Sequence, residues 1–492
     1  MEALIKAIEQ VNGVVNAMVW GPPMLALIIC TGVFLTIKTR FFQISHAKEV
    51  GEHTFFAIFK KKSVRSTKEK KAITQFQALS TALAATIGTG NIAGVATAIS
   101  LGGPGAVFWM WVSAFFGMMT NYSENVLGIY YRKKNVKGEW AGGAMYYLKY
   151  GLGEKKGFGA IAKPLAVIFS VFCVLASFGI GNMTQVNSIA SALDGSFKIP
   201  HLVTGAVLAV LAGLVIIGGI KRIAKVTERF VPFMAFAYTI GALIILCVNI
   251  QAVPHVFGQI FRGAFGFQAA AGGFAGAAMK QAITMGFKRG VFSNEAGLGS
   301  SVMVHSASDV KEPVVQGMWG IFEVFFDTII VCTLTAFAVL SSGALESGLT
   351  GVPLVSEAFS HGFGHFAGKF VSLAVLLFAF STVLGWSFYG EKGMEYLFGT
   401  KSVILYKIIF VSFILVGATM NLSLAWDIAD TLNGLMAIPN LIGVLILSGT
   451  VFAITRNYVG RRITGAHASA EPMLSAYADI QAEQAAKLTD GE

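Results

Sequence analysis

The sequence predicts an all-α polytopic membrane protein of about eleven transmembrane helices. One extra N-terminal helix precedes a five-plus-five inverted repeat, with discontinuous helices at spans 2 and 7. Three observations carry this reading. Of the 492 residues 55% are apolar and 13% charged, about half the roughly 25% charge of a soluble chain. That is too little charge to cover a water-exposed surface, and a mean hydropathy of +0.67 agrees. Long uncharged windows recur along the whole chain, and glycines interrupt two of them five spans apart.

Each crossing needs roughly 20 apolar residues. The windows are 10–37, then 72–123, which is long enough for two helices and turns at Leu101-Gly102-Gly103-Pro104-Gly105. Next come 164–193, 199–220, 230–261 and the short Gly/Ala-rich 263–279, which Lys280 interrupts. Windows 313–341, 370–390, 408–426 and 431–455 complete eleven spans. Transmembrane strands are excluded, because these segments are about twice too long and do not alternate.

Basic residues set the orientation. With the N-terminus outside, the cytoplasmic segments are 38–73, 132–163, 221–229, 288–311, 391–407 and 456–492, and they hold 32 of the 37 Lys and Arg. The predicted organisation is one transmembrane domain over 1–460, with repeats at about 72–250 and 263–455, and a cytoplasmic tail over 461–492. The predicted location is the plasma (inner) membrane. No cleavable signal peptide is expected, since the first apolar run is 28 residues long and ends without a small-residue cleavage motif.

Several function classes fall away. The net charge of +11 lies between apolar runs and does not mark a nucleic-acid binder. Cys30, Cys173, Cys247 and Cys332 sit singly in apolar stretches and read as packing residues. The eight histidines fall in loops or at span ends; His361 and His365 have metal-like spacing with no acid beside them. A membrane-embedded enzyme therefore lacks its catalytic constellation. ATP-driven transport lacks the GxxxxGK[ST] loop, and a channel has no need of two broken helices around one closed site.

The first broken span contains Ala84-Ala85-Thr86-Ile87-Gly88-Thr89-Gly90-Asn91-Ile92-Ala93-Gly94. Each glycine weakens a helix by about 1 kcal/mol relative to Ala. Unwound backbone is tolerated at membrane depth only inside protein or along a cavity. The stub after a break presents N–H groups and a positive dipole end, which suit a carboxylate. The stub before it presents carbonyls, which suit a cation. The seventh span shows the same character through Gly263, Gly266, Gly272, Gly273 and Gly276.

Three strings then resemble the alanine or glycine:cation symporter family. They are the stretch from Gln77 to Ala96, the stretch Arg289-Gly290-Val291-Phe292-Ser293-Asn294-Glu295-Ala296-Gly297-Leu298-Gly299-Ser300, and Phe380-Ser381-Thr382-Val383-Leu384-Gly385-Trp386. The resemblance runs from about residue 14 to 460. It implies the leucine-transporter type of fold and uptake of small neutral amino acids coupled to Na+, less often to H+. By resemblance, Thr89 and Gly90 hold the substrate carboxylate through backbone N–H groups, and Asn91 adds a side-chain bond. The carbonyls of Ala84 and Ile87, with the hydroxyls of Ser381 and Thr382, are the expected Na+ ligands, oxygens of the kind hard cations prefer. The implied partners are the amino acid, Na+ and the lipid bilayer, with no nucleic acid and no obligate protein partner.

Gln185 in span four is expected to donate to the substrate carboxylate, while Asn182 and Asn187 bond neighbouring helices. Trp386 lies one turn after Thr382 on the same helix face and is expected to cap the side-chain pocket, with Phe274 in a similar role from span seven. Glu124, Glu323, Asp327, Asp427 and Asp430 need partners at or near membrane depth, and are expected to serve in structural pairs and gate contacts. Glu295 is expected in a loop, as part of an inner gate or latch.

Overall fold

A computed structural model describes residues 2–265, 274–420 and 423–489. The described residues are almost entirely helical; one short ribbon pairs Lys133–Lys134 with Trp140–Ala141. The chain begins with α1 (Glu2–Val19) and α2 (Pro22–Lys38). Pro22 opens α2 at its first position, where the missing N–H has no helical partner to lose.

The first broken span is α3 (Gln75–Thr86) followed by α4 (Val95–Gly102). Thr74 and Gln77 form a reciprocal capping box at 3.1 Å in each direction, which fixes the start of α3. The helix axis then turns by 51° between Gln75–Thr86 and Gly90–Gly102. Next come α5 (Gly105–Tyr130), α6 (Gly159–Phe178), α7 (Thr184–Phe197), α8 (His201–Ile216) and α9 (Gly219–Val248).

The second half holds α10 (Val253–Phe265), α11 (Phe274–Asn294), α12 (Pro313–Val324) and α13 (Thr333–Ser341). It continues with α14 (Gly351–Phe363), α15 (Ala367–Phe398), α16 (Ser402–Thr419) and α17 (Ser423–Tyr458). A tail helix, α18 (Ala478–Thr489), closes the described chain. Short π-helical stretches interrupt three spans, at Gly90–Gly94, Gly179–Met183 and Phe325–Cys332. Such stretches recur at functional sites.

Among the described residues, seven helices are long and apolar enough to cross a membrane, and the bent pair α3–α4 makes an eighth candidate. The remaining expected spans correspond to α5, α8 and α11. These are helical, but α8 has only 16 residues, and α5 carries Thr120, Asn121, Ser123, Glu124 and Asn125 in its second half. α5 lies at the centre and packs along α11 and α12. An apolar belt that includes Leu202, Val207, Phe233, Phe236 and Ile404 is exposed on the outside, as a lipid-facing surface requires.

The seventh span differs from its expected form. Gly266, Gly272 and Gly273 lie outside the described residues. Gly263 serves close packing, since a Cβ there would meet the backbone N of Gly105 at 2.8 Å. The described break comes later, after α11 ends at Asn294. Glu295, Gly297 and Gly299 all have positive φ (57°, 92° and 71°), and 291–308 is buried. The segment expected as a cytoplasmic loop, 288–311, therefore begins deep in the protein. Its Lys288 and Arg289 face Asp430 on α17 at 2.8 and 3.5 Å, which removes two basic residues from the expected loop charge. A charged, polar string read as solvated loop is in fact a buried turn, because its partners lie far away in sequence.

One end of the bundle is closed by the tail. Ile73 and Ser308 form a parallel bridge between the segments flanking the two breaks: Ile73 N–H donates to Ala307 at 3.1 Å, and Asp309 N–H to Ile73 at 2.9 Å. Buried Arg132 clamps this seam by donating to the carbonyls of Ser306, Ser308 and Val310, while its guanidinium stacks on Trp140 at 4.0 Å. The tail covers the clamp. Ala476 N–H donates to Tyr130 at 3.0 Å, Glu483 pairs with Lys134 at 2.7 Å, and Ile480 packs against Ala72 and Trp140.

Candidate functional site

The break in the first discontinuous helix is chemically specific. Gly88 N–H would bond the Ala84 carbonyl in an unbroken helix. Instead it donates to Asn91 Oδ1 at 2.9 Å. The Ala84 carbonyl is thereby freed, and the hydroxyls of Ser381 and Thr382 reach it from α15 at 3.2 and 3.1 Å. All of these groups are buried. The carbonyl and two hydroxyls supply three convergent oxygens with no carboxylate, a set suited to a hard monovalent cation. Each hydroxyl keeps lone pairs for a cation while it donates.

Glycine at 88 is required by space. A Cβ there would collide with Thr382 Oγ1 and approach Gln185 Oε1 to 3.3 Å. Gln185 is buried beside the break. Its Oε1 accepts from Thr89 N–H at 3.3 Å, and its amide donates to the Ile180 carbonyl at 3.0 Å. In this conformation Gln185 therefore holds the N–H expected to meet a substrate carboxylate. Thr89 Oγ1 is buried and has no hydrogen-bond partner among the described residues. Ala84, Gly88, Thr89, Gln185, Ser381 and Thr382 thus meet at one place.

Asn91 faces the other side of the break. Its amide donates to Asp327 Oδ1 at 2.6 Å, and Ser293 and Thr328 donate to Asp327 Oδ2 at 2.8 Å each. Ser293 lies two residues before the second break. A Cβ at Gly90 would stand 3.2 Å from the Phe292 ring, which stacks on Trp426 with centroids 5.9 Å apart. The two breaks therefore face each other across Gly90–Phe292 and Asn91–Asp327–Ser293. Local pattern singled out Asp327 as a buried acid and Ser293 as part of a motif; it carried no signal that they touch.

Trp386 is fully buried, one turn beyond Thr382. Its ring base lies against Gly181, where any Cβ would overlap the Trp386 Cβ and Cγ, and it stacks edge-on to Tyr389 at 5.3 Å. Its burial keeps the indole away from any lipid-facing surface. Asn182 and Asn187 bond neighbouring backbone as expected, at Phe410, Gly417 and Met420. Phe274 opens α11, and its side chain lies outside the described residues. The Ile87 carbonyl makes no described contact with Ser381 or Thr382. Glu295 departs from its expected loop: it is buried at the second break and accepts from Ser300 at 2.5 Å.

Comparison with known proteins points one way. The sequence model of the sodium:alanine symporter family matches residues 5–472. The sodium/alanine symporter AgcS of Methanococcus maripaludis is 49% identical over 448 residues, covering 90% of this chain and 96% of that one. Two solved structures share the fold at 13% identity and a TM-score of 0.53. One is MhsT in complex with L-phenylalanine, covering 85% of this chain and 96% of that one. The other is a substrate-bound, outward-open Na+-coupled sialic acid symporter, covering 96% of each chain.

Proposed function

Since the chain belongs to the sodium:alanine symporter family, and so is an integral-membrane, Na+-coupled amino-acid symporter and no enzyme, we propose that its substrate is alanine or glycine and that uptake proceeds by alternating access around the break at Gly88. The observation that carries this reading is the diverted Gly88 N–H. It leaves a carbonyl released from the helix ladder and an amide-lined turn side by side, which suits a cation and a carboxylate at once.

Na+ is held by the Ala84 and Ile87 carbonyls with Ser381 and Thr382. The substrate carboxylate takes the N–H groups of Thr89 and Gly90, displacing Gln185 Oε1, and the freed Gln185 amide turns to donate to it. Asn91 keeps the turn in shape. Trp386, held by Gly181, limits side-chain length. The described break at Glu295–Gly299 supplies the second movable segment.

The transport unit is 1–460, with repeats at about 72–250 and 263–455 and eleven crossings, followed by a tail over 461–492. The N-terminus lies outside and the tail in the cytoplasm. The seam at Ile73 and Ser308 is then the inner gate, and the Lys288/Arg289–Asp430 contact the outer one.

The test is uptake of labelled alanine and glycine into proteoliposomes, with and without an imposed Na+ gradient. Uphill accumulation that collapses without the gradient is expected. Accumulation driven equally well by a proton gradient in the absence of Na+ would overturn the coupling assignment.

A further inference from the structure

A second buried polar cluster lies between the breaks and the seam, away from Ala84 and Gly88. Asn121, Glu124 and Asn125 share one face of α5. Asn121 and Asn125 look onto α12, where a Cβ at Gly320 would meet the Asn125 amide nitrogen at 2.5 Å, while Glu124 turns to the second break and α17, accepting from Gly299 N–H at 3.2 Å and from the Asn440 amide. Glu323 lies on α12 one turn further on, completely buried.

The hydrogen bonds around Glu323 have a direction. Ser308 donates to Gln316 Oε1 at 3.1 Å, and the Gln316 amide donates to His305 Nδ1 at 2.5 Å. His305 Nδ1 is thus an acceptor, so the proton sits on Nε2, which donates to Glu323 Oε2 at 2.9 Å. An imidazole in this arrangement is neutral and brings no charge to the carboxylate.

Nothing else described does so. No Lys or Arg pairs with Glu323 or Glu124 among the described residues. Among the described residues, Glu124 Oε2 and Asn125 Oδ1 are buried without a hydrogen-bond partner, and Glu323 Oε1 has only the Asn121 and Ser301 side chains near it. Glu124 stands within electrostatic reach of Glu323. The cluster therefore keeps acceptor capacity on two carboxylates and an amide oxygen, while the other oxygen of Glu323 accepts from His305 and that of Glu124 from Gly299 N–H and the Asn440 amide. Buried charge of this kind needs a compensating cation, and all-oxygen ligands select a hard one.

We propose that Glu323, with Asn125 and Glu124, forms a second sodium site on the seam side of the protein, through which a coupling ion passes on its way out. This rests on the Na+-coupled reading above. The ion is then handed from neutral oxygens at Ala84, Ser381 and Thr382 to a charged site next to the seam that must open for release.

Binding of radioactive Na+ alone to the purified full-length chain tests this, beside Na+-driven alanine uptake by the wild type. The expected result is two bound ions per wild-type chain. Glu323→Gln loses one, and Thr382→Ala weakens the other about fivefold. Asn125→Ala, which leaves the His305–Glu323 bond in place, weakens the same ion that Glu323→Gln removes and provides the test where Glu323→Gln does not fold. Wild-type sodium stoichiometry and affinity in folded Glu323→Gln or Asn125→Ala would overturn the site. So would unchanged sodium binding with a shifted pH profile of uptake, which would make Glu323 a proton carrier. A wild type with neither sodium binding nor Na+-driven uptake would instead bring down the coupling reading itself, and this site with it.

Discussion

The Asn91 amide donates to Asp327 Oδ1 at 2.6 Å, so the turn that diverts Gly88 N–H is tied to a carboxylate 236 residues away. Ser293 occupies the other oxygen from the threshold of the second break. One buried side chain therefore holds both breaks together, and its loss frees them from each other.

Asp327→Ala removes acceptors from Asn91, Ser293 and Thr328. Hydrogen bonds to charged groups contribute about 1.5–3 kcal/mol each. We expect a fall in melting temperature together with loss of uptake. A variant that melts as the wild type does and transports normally would show that the two breaks are held by other contacts.

Gly88→Ala places a methyl group where Thr382 Oγ1 sits. The obstacle is a short side chain on a packed helix and has little room to yield. Roughly tenfold or greater loss of uptake is expected, since small misplacements at a reacting or binding centre have effects of that order. Gly90→Val should act likewise through Phe292, while both variants insert into the membrane normally. Wild-type uptake in either one would count against the break as the binding site.

Thr382→Ala deletes one of the two hydroxyls at the Ala84 carbonyl. A net interaction of about 1 kcal/mol corresponds to about a fivefold rise in the Na+ concentration giving half-maximal uptake. The same titration with Ser381→Ala should move in the same direction. An unmoved half-saturation point in both would place the cation elsewhere.

Trp386→Leu opens space beside Gly181. Competition by longer neutral amino acids against labelled alanine should then appear where the wild type shows none. An unchanged competition profile would remove Trp386 from the pocket wall. Gly181→Ala should impair the wild-type substrate too, because its methyl group overlaps the base of the indole.

Asp309 lies on the seam, outside the spans. Burial raises its carboxyl to about 6 from 3.8, against opposing contributions from Thr67 and Arg132. A raised folded-state value stabilises the protonated form of the fold. The contribution is full below about 3.8 and is lost as pH rises through about 6. Melting temperatures measured from pH 4 to 7 should fall more steeply in the wild type than in Asp309→Asn. Parallel curves would show that Asp309 plays no part in seam stability.

Much of the first half of the site was legible in the amino-acid string. Gly88, Gly90 and Asn91 mark the break because glycine and an amide side chain are what an unwound turn needs, and Ser381 and Thr382 sit where a helix face can meet it. The second break was misplaced. Glycines at 263–279 suggested unwinding, yet Gly263 serves contact with Gly105. The described turn at Glu295 looked like solvated loop because it is charged. Its burial depends on Ser300, and the seam below it on Arg132, a partner more than 160 residues away. Local pattern reports propensity and period; it cannot report which distant side chain will satisfy a buried acid.

The tail helix emerges after every residue it covers. At about 5–20 residues per second, Ile480 follows its neighbour Ala72 by about 20–80 s of synthesis. Once Ser308 has emerged the nascent bundle can pair Ile73 with it, but for about 9–34 s more of synthesis nothing lies over the clamp. Maturation of the protein is therefore ordered in time. The membrane-embedded body is laid down first, and its seam is sealed only when Ala476 finds Tyr130 and Glu483 finds Lys134.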